Sequence, residues 1–254
     1  MTSLVQYGVA GQVATITLDS PKNRNALSRT LVSELTDAMA AAGGDDGVRV
    51  VVLSHTGSVF CSGADLSEAG GGSMSGATTA MMTVMTTIVE LDKPVIARVN
   101  GHVRAGGMGI VGACDIAVAS ETASFAFTEA KIGLTPAIIS LTTLDLMPSR
   151  AAARYYQTGE TFGARVAAEI GLITEAISSG SIDDATARFA EQICETSPQG
   201  ARETKRLLTG PRRRRMAADA AGLADLSARL FASEEAQEGI HAFLERRPPA
   251  WRQS

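Results

Sequence analysis

The sequence predicts an α/β protein with a core over residues 1–190 and a helical region over residues 191–254. Three observations carry this expectation. Short apolar or β-branched runs recur through the first half, each followed by a stretch with helical spacing. From Asp145 onward the spacing is almost wholly helical. No Gly- or Pro-rich linker separates the two parts, so the helical region is expected to pack on its own core or on another copy.

Taken in order, Val13 to Leu18 alternates apolar and β-branched residues, the pattern of a strand. Asp19 to Ala26, with Pro21, is a polar loop. Ser28 is placed to cap a helix running to about Ala42, with Leu27, Leu31, Leu35 and Met39 as its buried stripe. Gly43 and Gly44 end it. Val48 to Leu53 is nearly all apolar, as in a strand covered on both faces. Ala69 to Ala77 is rich in Gly and Ser and reads as a loop. Thr78 to Leu91 reads as a helix with Met81, Met85, Ile88 and Val89 inward. Pro94 opens an apolar strand, Val95 to Val99. Ile116 to Ala119 and Ser124 to Phe127 are short strands, and Thr128 to Ile139 is a loop broken by Gly133 and Pro136. Helices follow near 149–157, 164–169, 183–196, 199–209, 216–231 and 233–246. No strong internal repeat is visible.

Composition bounds the function. With 45% hydrophobic and 20% charged residues, the chain has the balance of a soluble globular protein. Aromatics are only 4%, so the core must be built from Val, Ile, Leu, Ala and Met. A net charge of −4 gives no general attraction to nucleic acid or to a membrane surface. No run approaches the roughly 18 apolar residues of a membrane span, and the N-terminus carries no signal-peptide pattern. Cys61, Cys114 and Cys194 lie far apart without CxxC spacing, which favours reduced thiols in a cytoplasmic protein over a disulfide frame or a zinc site.

The stretch from Asn100 to Asp115 concentrates the chemistry. An apolar strand breaks into glycines, and a small-residue helix opens near Gly106. The start of such a helix offers free backbone N–H groups and the positive end of a dipole, which suit a negative oxygen. Neither GxxxxGK[ST] nor GxGxxG is present, so a phosphate loop fits poorly.

Asn25-Ala-Leu27, Phe60-Cys-Ser-Gly-Ala-Asp-Leu66, Asn100-Gly-His-Val-Arg-Ala-Gly-Gly107, Ala113-Cys-Asp-Ile-Ala117, Phe125-Ala-Phe-Thr-Glu129 and Gly133-Leu-Thr-Pro136 occur in the order seen in the crotonase superfamily, the enoyl-CoA hydratase/isomerase family. The closing segment, Ser233 to Pro249, resembles that family's last helix as well. Each motif alone is weak; their ordered combination is specific. The resemblance implies a crotonase-like spiral of ββα turns followed by a helical trimerisation region, and a homotrimer or homohexamer. It also implies an acyl-CoA thioester as substrate, with no metal or redox cofactor.

The resemblance further implies that the N–H groups of Ala64 and Gly106 form an oxyanion hole. It implies that Lys22, Arg24 and Ala26, with Ala64, Asp65 and Leu66, lie along the CoA. Many family hydratases carry two glutamates. The later one corresponds to Glu129, and the position of the other is Gly109, which has no side chain. One carboxylate can move a proton between two carbons, which is double-bond isomerisation. It can also deprotonate a water for attack at C3, and it would work best with its pKa raised toward neutrality by desolvation. Three functions therefore stay open: an enoyl-CoA hydratase, a Δ3-Δ2 enoyl-CoA isomerase, and a non-catalytic acyl-CoA binder. Pro136-Ala-Ile-Ile-Ser140 resembles a phrase of hydratases acting on branched glutaconyl-CoA-type substrates, pointing weakly to a branched or carboxylated acyl group. Fatty acid metabolism is one of several pathways that fit.

Among the remaining polar residues, His102 is expected to hydrogen-bond near the strand end and Cys61 to be a packed thiol. Arg104 is expected on a wall near the pocket or between subunits, with an acidic substrate as the lesser reading. The run Arg212 to Arg215 reads as a solvated helix start, or as a contact to CoA phosphates or to an acidic surface of another subunit.

Overall fold

The computed structural model describes residues 3–65, 68 and 74–252. Ten strands and nine α-helices follow in order among them: β1 (Val5–Ala10), β2 (Val13–Leu18), α1 (Arg29–Gly44), β3 (Val50–His55), β4 (Val59–Cys61), α2 (Met74–Glu90), β5 (Val95–Val99), β6 (His102–Arg104), α3 (Gly106–Ala113), β7 (Ile116–Ser120), β8 (Ser124–Ala126), α4 (Ser140–Thr143), α5 (Ser149–Thr158), β9 (Phe162–Gly163), α6 (Ala164–Glu169), β10 (Glu175–Ile177), α7 (Ile182–Glu195), α8 (Pro198–Phe231) and α9 (Glu234–Leu244).

The strands form two sheets. The larger runs β1-β2-β3-β5-β7-β10 and the smaller β4-β6-β8-β9. The pairs β3–β5 and β5–β7 are parallel in the first sheet, and β4–β6 and β6–β8 are parallel in the second. Each turn of chain thus gives one strand to each sheet and then a helix: β3, β4, α2; then β5, β6, α3; then β7, β8 and the segment leading to α4 and α5. This is the spiral of ββα turns that the sequence suggests. The repeat is structural, and the residues within successive turns differ too much for it to show as sequence self-similarity.

Local chemistry explains the elements that bear on the site. Ser28 caps α1, its Oγ accepting from Leu31 N–H at 3.2 Å. Leu27, Leu31, Leu35 and Met39 are all buried. Asn25 is fully buried at φ +51°; its Oδ1 accepts from Ser20 N–H, and its Nδ2 donates to Thr56 O and Val59 O. It therefore staples the loop before α1 to the β3–β4 connection. His55 Nε2 accepts from Asn100 N–H at 3.0 Å, tying the end of β3 to the turn after β5. Burial lowers its pKa, so the ring is held neutral.

The structure corrects several expectations. β1, like the short β4, β6, β9 and β10, has no counterpart among them; only Val5 in β1 is buried, so it lacks an apolar face to read. β3 begins and ends two residues later than the apolar run. Helix α2 begins at Met74, inside the Ala69–Ala77 segment expected to be a loop; residues 69–73 of that segment lie outside the described residues. The helices expected near 199–209 and 216–231 are one, α8, which passes through Pro211. Proline removes one N–H from the ladder, and side chains on the following turn hold the helix in place. Arg212 donates to Gly112 O at 2.9 Å and pairs with Asp145, and Arg215 donates to Leu141 O at 2.5 Å and pairs with the same aspartate. These two arginines clamp the last turns of α3 and α4, so neither the solvated reading nor the CoA reading describes them. Seven residues before Arg212, Lys205 does similar work: Nζ lies 2.8 Å from Asp115 and donates to Ile88 O and Lys93 O. The helical C-terminal region thus packs on its own core.

Candidate active site

One cleft of about 580 Å³ gathers the residues singled out in the sequence. Asn23, Arg24, Ala26, Ala64 and Asp65 line it at one end, with Gly106 and Glu129 also on its wall. Lys22, in the same 3-10 turn as Asn23, is outside this lining, and Leu66 lies outside the described residues.

Two backbone turns meet in the cleft. Ala64 forms an isolated parallel bridge with Leu27. Leu27 N–H donates to Gly63 O at 2.8 Å, and Asp65 N–H donates to Leu27 O at 3.4 Å. In a parallel pairing the residues flanking the bridge make its bonds, so the N–H of Ala64 itself is turned to the other side. The second turn is the start of α3. Gly106 is its first residue, so its N–H has no intrahelical acceptor. Ala105 before it has φ +45° and ψ −121°, a strained conformation for a residue with a side chain. The two turns touch: a Cβ on Gly63 would sit 3.0 Å from Gly106 N, and a Cβ on Gly106 would sit 3.2 Å from Gly63 Cα and 2.0 Å from Met81 Cε. Glycine at 63 and 106 is what allows the approach.

Glu129 opens a 3-10 turn, Glu129–Ile132, closed by Gly133 at φ +76°, whose N–H returns to Glu129 O. The residue as a whole is half-buried, but its Oε2 is shielded from solvent and has no hydrogen-bond partner among the described residues. Burial pushes its carboxyl pKa up to about 7. Desolvation is the cause, and it brings the carboxyl into the neutral range. The cleft wall beside it is mostly apolar, with Met81, Leu134, Ile138, Ile139, Phe231 and Leu244.

Position 109 is closed. A Cβ on Gly109 would meet Ile139 Cγ2 at 2.6 Å and Met85 Sδ at 2.7 Å. The space a second glutamate would need is filled by two packed side chains, so Gly109 is not a vacancy that one substitution refills.

Other expectations resolve as follows. His102 is exposed and its Nδ1 lies 3.0 Å from Ser124 Oγ. The Arg104 guanidinium folds back along its strand to Ser124 O at 2.6 Å and Ser124 Oγ at 2.7 Å, while Ala126 is its strand partner. Arg104 itself lines the cleft, the wall position expected of it, with its guanidinium held by these bonds. Cys61 is fully buried and its thiol pKa is pushed up to about 12, which leaves it inert. Sequence reasoning missed Ser227, Phe231, Phe243 and Leu244, which reach the cleft from the ends of α8 and α9. No local pattern marks them; only the return of the C-terminal helices over the cleft brings them there. Among the described residues no group of three or more His, Cys, Asp or Glu side chains is placed to hold a metal.

The cleft thus brings two backbone turns beside a desolvated carboxyl on a mostly apolar wall. The chain matches the enoyl-CoA hydratase/isomerase family over residues 8–254 and belongs to it. It is 34% identical over 260 residues to the zebrafish (Danio rerio) mitochondrial enoyl-CoA hydratase domain-containing protein 3, covering 98% of this chain and 88% of that one. It is 29% identical to (E)-benzylidenesuccinyl-CoA hydratase of Thauera aromatica, with 98% of each chain covered. The crystal structure of an enoyl-CoA hydratase from Mycobacterium avium superposes with a TM-score of 0.92 at 51% identity, covering 99% of this chain and all of that one. The fold is that of the crotonases.

Proposed function

We propose that the protein is an enoyl-CoA hydratase-like lyase that adds water to a 2-enoyl-CoA thioester, with Ala64 and Gly106 as oxyanion hole and Glu129 as the single acid–base group. The observation that supports this most directly is the unpartnered, desolvated Oε2 of Glu129 in the same cleft as the two backbone turns. In this reading the Glu129 carboxylate takes a proton from water as the water oxygen bonds to C3. The electron pair of the double bond moves through C2 to the thioester oxygen, where the two N–H groups hold the enolate charge. The enolate then collapses and C2 receives the proton from Glu129. One such donor is worth about 3–4 kcal/mol of barrier in a dry site. Asn23, Arg24, Ala26 and Asp65 would run along the CoA. No metal or redox cofactor enters this chemistry. The three unpaired cysteines accord with a cytoplasmic setting.

A specific observation favours a second reading. The apolar filling around Gly109 offers no second carboxyl to hold a water, which suits a Δ3-Δ2 enoyl-CoA isomerase. There Glu129 would take a proton from C2 of a 3-enoyl thioester and return it to C4. Straight and branched 2-enoyl and 3-enoyl thioesters in heavy-oxygen water separate the two. A product carrying one labelled water supports hydration; an equal-mass product with a moved double bond overturns it in favour of isomerisation. Tight thioester binding without turnover would leave a binding protein.

A further inference from the structure

We infer that the C-terminal helix α9 positions Glu129 of its own chain, through a seat in which Gly239 lies against the backbone of Ile132 and Gly133 lies against the backbone of Glu235 and Ala236. The inference rests on the reading of Glu129 as the acid–base group. Glu129 is held on a single 3-10 turn of four residues with no side-chain cap. A turn that short has poor hydrogen-bond geometry and depends on what it packs against. Its last residue and its closing glycine are the points that α9 touches. A Cβ on Gly239 would fall 2.5 Å from Ile132 C and 2.6 Å from Ile132 O; a Cβ on Gly133 would fall 2.7 Å from Glu235 C and O. Backbone meets backbone there, which only glycine permits.

Helix α9 is itself fixed at both ends. Ser233 Oγ accepts from Ala236 N–H at 3.2 Å and donates to Leu230 O at 2.6 Å. Arg247 grips both carboxylate oxygens of Glu238, at 2.7 and 2.8 Å, and Glu245 at 2.6 Å. A held helix pressed on a short turn sets where the Glu129 carboxyl stands in the cleft. Tyr156 of α5 feels the charge of that carboxyl, Arg24, Asp65, Arg104 and Lys131 share its cleft, and α9 meets the turn through the backbone of Glu235. Gly239 touches neither substrate nor carboxyl; it is a positioning residue.

Gly239→Ala in the full chain tests this, with two readouts. The first is the titration of Glu129 by NMR on protein carrying 13C-labelled glutamate carboxyls, assigned with Glu129→Gln. Lifting the turn lets water reach the carboxyl, so its midpoint should fall toward the ordinary carboxylate range. The second is kinetic: kcat should drop by about tenfold or more, as expected for a displaced catalytic group, while the Kd of an unreactive acyl-CoA thioether changes by less than about threefold. Gly222→Ala on α8, where a Cβ meets nothing within 4 Å, should change neither. If Gly239→Ala does not fold, Ser233→Ala, which loosens the first turn of α9, should move both readouts the same way by less. An unchanged Glu129 midpoint and unchanged kcat in the folded variant would overturn the inference. The titration needs no turnover. A wild-type protein inert on every enoyl thioester would therefore sink the enzyme reading and still leave the midpoint to decide the role of α9.

Discussion

Glu129 carries two opposite demands in one side chain. In the proposed reaction, the burial that raises the carboxyl toward neutrality for proton transfer also makes its ionised form costly. Replacing it with Gln should cut turnover by about 10²–10⁴-fold, the usual worth of a positioned acid–base group, and leave thioester binding intact by calorimetry. The linkage sign follows from the raised pKa. The folded protein holds this proton more tightly than the unfolded chain, so the stabilisation is fully present below the ordinary value of 4.5 and is lost as pH rises through about 7. His55 works the other way. Its pKa is lowered by burial, so its contribution is present above 6.5 and is lost as pH falls. Melting temperature against pH should therefore show a decline through neutrality in the wild type that Glu129→Gln removes, with the acid-side loss retained. The identity of Glu129 as a candidate was legible in the sequence through its order among the motifs. Its orphaned Oε2 was not, because desolvation depends on what α9 and the cleft walls bring over it.

At the scale of elements, α8 is where sequence and structure part. Gly210-Pro211 and four arginines read as a break, yet the helix runs through. The reason is tertiary: Arg212, Arg215 and Lys205 find acceptors on α2, α3 and α4 that sequence spacing does not reveal. The buried pair is the one that should matter for stability. Lys205 has a side chain only 3% exposed, against 46% for Arg206 in its pair with Asp92. Lys205→Met leaves Asp115 with an uncompensated charge and should cost about 3 kcal/mol or more in chemical denaturation. Arg206→Met should cost less than about 1 kcal/mol. By contrast, α1 and its Ser28 cap were legible because capping and a stripe repeating every four residues are local properties. The strand β6 was hidden for the converse reason. Its three residues carry no periodicity, and it exists only because β4 and β8 flank it.

For the molecule as a whole, the large sheet, the ββα winding and the family followed from the order of motifs, while the closure of the cleft by the chain's own C-terminus did not. One surface feature bears on assembly. Leu207 and Leu208, adjacent on α8, are 77% and 72% exposed. We propose that in the homotrimer or homohexamer implied by the family resemblance they are covered by a second copy. Leu207→Glu with Leu208→Glu should shift the sedimentation coefficient of the assembly to that of a single chain; an unchanged value would place the contact elsewhere.

The filling of the space at Gly109 by Met85 and Ile139 has a consequence for how such a protein changes over generations. A lone Gly109→Glu mutation would drive a carboxylate into packed methyl and thioether groups, so it is harmful before it is useful. Regaining a second acid requires Met85 and Ile139 to shrink first, and those changes by themselves open a cavity of no catalytic value. The one-carboxylate site and a two-carboxylate version of it are therefore separated by single changes that each pack worse than the start.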